Sequence, residues 1–391
     1  MKRLAVQGLG PLVQADVRFA DLTVFVGPQA SGKSILLQTL RLLLDKSYIV
    51  RVLNHHGLDW DNATAEFLNT YYGEGTSKLQ SDACRIVEDD KPVSLKEVAR
   101  TKVSRNPVRP RLFYVPAQRV LTLRNGWPRP FTDYTPGDPF AVREFSETLR
   151  LLLELEFPRT TKDQLFPQPQ RITKALLDPL SEAIFHGFQL KIEKSQSQKR
   201  LVITGALKEG PTLPFMVWSA GQREFVPLLL GLYWLMPAGA VSRRDDLQWV
   251  VIEELEMGLH PRAISSLLLV VLELMRRGYR VCLSTHSPHV LEMVWALRRI
   301  KEHQGPSSKV LDLFHLNKEE PSLREVADEA LKKTLHVYYF DREGTTHDIS
   351  SLDPGSDDPI MADWGGLGEF GSRAADVVAD VIANSKRRNG R

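Results

Sequence analysis

Apolar positions follow two rhythms along this 391-residue chain. Residues 3–9 and 13–19 alternate loosely on either side of the turn Gly8, Leu9, Gly10 and Pro11, as two short strands do. Leu22 to Val26 reads as a buried strand of good strand formers. Leu36, Leu37, Leu40 and Leu44 then recur at helical spacing, predicting a helix over Ile35 to Leu44. From about 45 to 110 the periodicity weakens and polar residues rise, so this stretch reads as an insertion, an arm or a lid. Short helices are expected there at Phe67 to Tyr72 and Leu95 to Lys102. An apolar strand, Leu112 to Val115, runs into Pro116, Ala117, Gln118 and Arg119, and residues 124–140, with four prolines and two glycines, read as loop.

Helical spacing returns at Ala141 to Leu155 and Arg171 to Phe185. Phe188 to Glu193, Arg200 to Thr204 and Phe215 to Val217, with a turn at Lys208, Glu209 and Gly210, predict a small antiparallel sheet. An apolar helix follows Ser219, Ala220, Gly221 and Gln222 and ends near Met236. Strands at Trp249 to Ile252 and Arg280 to Ser284 then alternate with helices at Pro261 to Arg276 and Pro288 to Arg299. The remainder predicts a strand at Lys309 to Phe314, a helix at Leu323 to Lys333 and a strand pair, Leu335 to Phe340 with Thr346 to Ile349, about a turn at Asp341 to Gly344. A last helix covers Ala374 to Ser385, so 335–391 reads as a C-terminal hairpin and helix extension of one head spanning 1–391. Strands alternating with helices imply an α/β fold, a mostly parallel central sheet flanked by helices.

One junction in this pattern carries chemistry. Between the strand at Leu22 and the helix at Ile35 stands GPQASGKS, residues 27–34, the Gly-x-x-x-x-Gly-Lys-Ser loop of P-loop NTPases. Gly27, Pro28, Gln29, Ala30, Ser31 and Gly32 would wrap phosphates with backbone N–H groups, and the helix start adds its positive end. Lys33 would reach the β- and γ-phosphates and Ser34 would place its hydroxyl on Mg²⁺, which makes ATP and Mg²⁺ the expected cofactors. The strand Trp249 to Ile252 ends in Glu253 and Glu254. Neighbours on a strand point oppositely, so the two carboxylates can differ in role: Glu253 to hold Mg²⁺ through its water, Glu254 to orient and deprotonate the attacking water. His286, after the next strand, can donate to a γ-phosphate or align the water, and the Gln118 amide can bond metal-bound water.

Composition adds bounds. The net charge of +3 selects no partner, while Arg105, Arg109, Arg111, Arg119, Arg124 and Arg129 form a candidate basic face in sequence. Cys84 and Cys282 lack metal-site spacing, and Cys282 sits in an apolar run as a core residue would. The N-terminus carries no signal-peptide pattern, and the apolar run Phe225 to Ala238 is short for a membrane span. A reducing cytoplasm is the expected location.

The segments GPQASGKS at 27–34, FYVPAQR at 113–119, SAGQRE at 219–224, VIEELEMGLHP at 251–261 and STHSPHVL at 284–291 resemble, in order, those of ABC-type ATPase heads of the SMC and DNA-repair kind. The ATPase part of OLD-family (overcoming lysogenization defect) nucleases and related AAA-domain ATPases of phage defence are the nearest in pattern. The resemblance implies a two-lobed head that dimerises around ATP, with Gln118 in the Q-loop, Glu253 and Glu254 as the Walker B pair and His286 as the switch histidine. It also implies that Ser219, Gly221 and Gln222 complete the nucleotide site of a neighbouring subunit. Glu253 stands where many relatives carry aspartate, Leu255 replaces a proline, and Met257 to His260 lack the D-loop aspartate. With no long coiled coil, zinc-hook cysteines or TOPRIM acidic cluster, a nuclease effector would be a separate chain. The implied function is an ATP-driven switch in DNA repair or anti-phage defence, without a membrane. The alternatives are a scaffold or chaperone-like ATPase that binds no nucleic acid, and a transporter-type ABC subunit.

Overall fold

The computed structural model describes residues 1–102, 106–157, 163–195, 198–205, 210–239, 243–244 and 246–389. Arg105 and the turn at Lys208 and Glu209 lie outside the described residues.

The chain opens with a hairpin, β1 (Arg3–Leu9) and β2 (Leu12–Arg18), followed by β3 (Leu22–Val26). Within 45–110 lie β4 (Gln80–Glu88) and β5 (Lys91–Val93), and β4 pairs antiparallel with β1 to give a four-stranded sheet ordered β2-β1-β4-β5. The helix Thr64–Tyr72 of the same stretch buries Phe67, Leu68, Tyr71 and Tyr72, and the Tyr71 hydroxyl donates to Gln38 O of the phosphate-loop helix at 2.8 Å. Next come β6 (Leu112–Val115) and a two-residue pairing of β7 (Leu123–Arg124) with β8 (Trp127–Pro128). β9 (Gln164–Phe166), β10 (Gln189–Ser195), β11 (Gln198–Thr204) and β12 (Thr212–Pro214) form a second antiparallel sheet, ordered β12-β11-β10-β9.

The centre is a six-stranded sheet that adds β13 (Trp249–Glu253), β14 (Arg280–Ser284), β15 (Leu335–Phe340) and β16 (Thr346–Asp348), in the order β16-β15-β3-β14-β13-β6. All its pairings are parallel except β15 with β16. Strand alternation distributes its side chains to two cores. Val250 and Ile252 join Leu228, Leu267 and Leu291 on one face, whereas Trp249 and Val251 join Leu36, Leu37 and Leu40 of the phosphate-loop helix on the other. The period of two therefore sends Glu253 to the phosphate-loop face.

Two expectations need correction. Lys309 to Phe314 is not a strand: Ser308–Leu313 is a helix, with Val310 and Leu311 both buried and Leu313 exposed, a burial order that alternation cannot produce. An apolar run this short does not distinguish the two periods. Phe215–Val217 is one 3₁₀ turn, and the strand lies just before it at Thr212–Pro214. The last helix, Glu369–Asn389, is longer than the sequence pattern implied. No helix among the described residues is long and apolar enough to cross a membrane.

Candidate nucleotide site

The phosphate loop leaves β3 at Gly27, whose φ of 138° suits glycine. A β-carbon there would lie 2.2 Å from the Phe340 carbonyl oxygen on β15, so the neighbouring strand excludes any other residue. Ala30 also takes a left-handed φ of 62°, and Gly32 caps the helix Lys33–His55 at φ 96°. Lys33 Nζ turns back into the loop, donating to Gly27 O at 2.8 Å and Pro28 O at 2.7 Å, and it stands 3.4 Å from Ser31 Oγ. Burial pushes the Lys33 pKa down to about 8, against the opposing pull of Glu254, Glu253 and Glu256. The ammonium is therefore held beside three carboxylates.

Glu253 ends β13, buried beside the parallel strand β6. Its Oε2 accepts from the Ala117 amide at 3.2 Å, while buried Oε1 has no hydrogen-bond partner of normal geometry. Burial raises its pKa, opposed by the Ser34 hydroxyl, the Ala117 amide and the Tyr114 hydroxyl. A buried carboxylate oxygen without a partner, next to the Ser34 hydroxyl, suits a hard divalent cation.

Glu254 leaves the strand in the left-handed region, φ 45°, and its amide donates to Ser284 O at 2.9 Å. Such backbone persists in a non-glycine residue only where the surroundings over-determine it. The turn brings Glu254 Oε1 to 4.0 Å from His286 Nε2. The end of β14 is tied down by Glu256, whose Oε1 accepts from the His286 amide at 2.5 Å and from Thr285 Oγ1 at 2.9 Å. Sequence reasoning missed Glu256; only its place two residues past the acidic pair could have flagged it.

Gln118 is exposed at the mouth of this group, one residue past the Ala117 amide that holds Glu253. Arg119, expected on a basic face, is instead completely buried, with its guanidinium on the carbonyls of Glu253, Glu254 and Glu224. A DNA contact by Arg119 is thereby excluded. Arg109 pairs with Asp246, and Arg124 and Arg129 share Asp133. Arg111 is exposed.

Ser219 caps the helix Ala220–Leu235 in a reciprocal box: its Oγ accepts from the Gln222 amide at 3.2 Å, and Gln222 Oε1 accepts from the Ser219 amide at 3.0 Å. Gly221 packs on the loop after the acidic pair, where a β-carbon would fall 2.6 Å from Gly258 O. The fold thus gathers Lys33, Ser34, Glu253, Glu254, His286 and the Ala117 amide at one end of the central sheet, with Gln118 next in the chain. Ser219, Gly221 and Gln222 make none of their described contacts with that group; their helix reaches it through the bond of Arg119 to Glu224, and Gly221 packs on the Gly258 loop.

Residues 148–292 match a family model described as "AAA domain, putative AbiEii toxin, Type IV TA system". The matched stretch holds the capped helix, the acidic pair and His286, and the phosphate loop lies upstream of it. Among solved structures the chain is similar to an SMC head domain from Thermotoga maritima, at 12% identity over 89% of this chain and 97% of that one, TM-score 0.33. It is also similar to an SMC head bound to the C-winged helix domain of ScpA, at 9% identity over 89% and 96%, TM-score 0.39. A third is a bacterial ABC transporter cassette solved as a dimer, at 9% identity over 88% and 98%, TM-score 0.34. No curated protein matches the chain. The phosphate loop between β3 and its helix, the mostly parallel sheet and the acidic strand end together give this chain the α/β fold of a P-loop nucleotide-binding protein, and its residues 148–292 are similar to an AAA domain.

Proposed function

We propose that the chain binds and hydrolyses ATP with Mg²⁺ and works as a nucleotide-driven switch that dimerises around the nucleotide. The observation that carries this reading is the convergence, at one sheet end, of a buried Lys33 ammonium, a buried Glu253 oxygen without a hydrogen bond of normal geometry beside the Ser34 hydroxyl, and a Glu254 carboxylate facing His286. Ser34 and Glu253 would hold Mg²⁺, with Gln118 beside them. Bound there, the ion would supply positive charge to the phosphates. Lys33 would exchange the Gly27 and Pro28 carbonyls for phosphate oxygens, a trade of neutral for charged acceptors that strengthens each bond. Glu254 would take the proton of the attacking water, and His286 would donate to the γ-phosphate end or orient that water.

The direct test is turnover. Purified protein with ATP and Mg²⁺ should release phosphate, and Glu254→Gln should stop release while retaining nucleotide and accumulating a dimer in light scattering. Parental turnover in that variant would place the base elsewhere, with Glu253 the first suspect.

The matched family's description names a putative toxin of a Type IV toxin–antitoxin system, which supports a two-component setting for this chain; a defence role and a separate effector rest on the motif resemblance alone. DNA as the sensed ligand has thinner support, because Arg119 is internal and Arg109, Arg124 and Arg129 are paired with aspartates. Those pairings favour the second reading, an ATP-dependent scaffold without nucleic acid. An electrophoretic shift with and without ATP separates the two: a nucleotide-dependent shift of duplex DNA supports the first, no shift the second.

A further inference from the structure

The Arg119 guanidinium touches two elements at once. Nη1 donates to Glu253 O at 2.9 Å and Nη2 to Glu254 O at 3.0 Å, both in the acidic pair. Nε donates to Glu224 O at 3.1 Å and stands 3.6 Å from Glu224 Oε2, in the first turns of the capped helix. These three carbonyls are met by the three nitrogens of one rigid plane. The side chain is fully buried, so the bonds form away from competing water. One of the three acceptors belongs to Glu254, the residue held in left-handed backbone between this bond and the Ser284 carbonyl.

We propose that Arg119 is a positioning residue that relays displacement of the capped helix to the acidic pair within one subunit. The helix start, Ser219 and Ala220, is exposed, while from Phe225 to Leu235 the helix is buried except for the partly buried Trp234. A ligand or second copy pressing on that start moves the Glu224 carbonyl, and the rigid guanidinium carries the movement to the carbonyls of Glu253 and Glu254. Lysine at this position keeps the charge but not the fork, so it cannot hold both elements in one geometry. The relay rests on the proposed ATPase reading only for its catalytic consequence.

The test is amide hydrogen exchange on the full chain, comparing parent, Ser219→Arg, Arg119→Lys and the double variant. Ser219→Arg should change exchange at amides 253–255 in the parent background, and that response should vanish with Arg119→Lys. A response at 257–260, transmitted through the separate Gly221–Gly258 contact, should persist in both backgrounds and acts as the control. Arg119→Lys should also lower kcat by about tenfold to a hundredfold with KM for ATP within about threefold, as misplacement of a catalytic group does. A purely structural arginine would lower the melting temperature without removing the 253–255 response. Should the lysine variant fail to fold, Arg119→Gln is read by the same criteria. An intact response at 253–255 in either variant overturns the relay, and so does parental kcat. Absence of ATP turnover in the parent would sink the proposed function, while the exchange comparison would still decide the relay.

Discussion

At the scale of single residues, Lys33 makes the sharpest statement. Its pKa near 8, against 10.5 for the free side chain, means that between those values the folded chain binds fewer protons than the unfolded one. By linkage the burial penalty on stability is fully present below about pH 8 and is relieved as the pH rises towards 10.5. Nucleotide binding runs the other way. Phosphate oxygens favour the ammonium, so at about pH 8.5 binding should draw in roughly three quarters of a proton, and ATP affinity should fall as the pH rises further. Calorimetry in buffers of different ionisation enthalpy reads that uptake, and Lys33→Ala should abolish it together with most of the affinity. An unchanged dissociation constant in the variant would remove Lys33 from the site. The loop around Lys33 was legible in sequence because glycine, lysine and serine at that spacing act through the backbone they sit on. Glu256 and Arg119 were not legible, since each takes its role from partners about 30 and 105 to 135 positions away. A charged residue destined for burial reads in sequence like one destined for solvent, and the arginine-rich stretch around Arg119 invited the wrong reading.

At the scale of elements, the capped helix shows what local patterning conveys and what it misses. Ser219 followed by Gln222 is a capping-box spacing ahead of an apolar run, and both halves of the box form. The glycine between them has a reason that only the fold supplies, because the loop carrying Gly258 crosses directly over it. Gly221→Ala should therefore cost about 1–3 kcal/mol by forcing that loop away, an overpacking penalty with backbone as the opposing group. Urea denaturation measures it; a midpoint within error of the parent would show that the loop yields freely. Strand β4 escaped the pattern for the opposite reason. Only Ile86 of its nine residues is buried, so the alternation that marks a half-buried strand is missing. The Ser308–Leu313 helix was misread because six residues sample too few turns. In each case the missing information is what packs against the element.

For the whole molecule, the central question is where Ser219 to Gln222 act. The apolar body of their helix is locked into the core from Phe225 to Leu235, which holds the exposed start rigidly in place. Beside it Met216 and Val217 are 70% and 60% exposed, an apolar rim that a second copy of this chain could cover. Within one subunit Lys33, Ser34, Glu253 and Glu254 already cluster at the phosphate loop, and the described contacts of Ser219 stay inside its own cap. A second positive helix end is thus more economically supplied by a partner. On this arrangement Ser219→Arg and Lys33→Ala should each be inactive alone. An equal mixture that exchanges subunits should recover turnover, because each mixed dimer contains one composite site with Lys33 from one chain and Ser219 from the other. The companion site carries both lesions, so recovery should not exceed one site per mixed dimer. Failure to recover activity, with mixed dimers demonstrated by differential tagging and pull-down, would place the motif in its own subunit's site or require both sites to fire together. Parental turnover by Ser219→Arg on its own would take the helix start out of the reaction altogether, leaving its box as a cap and nothing more.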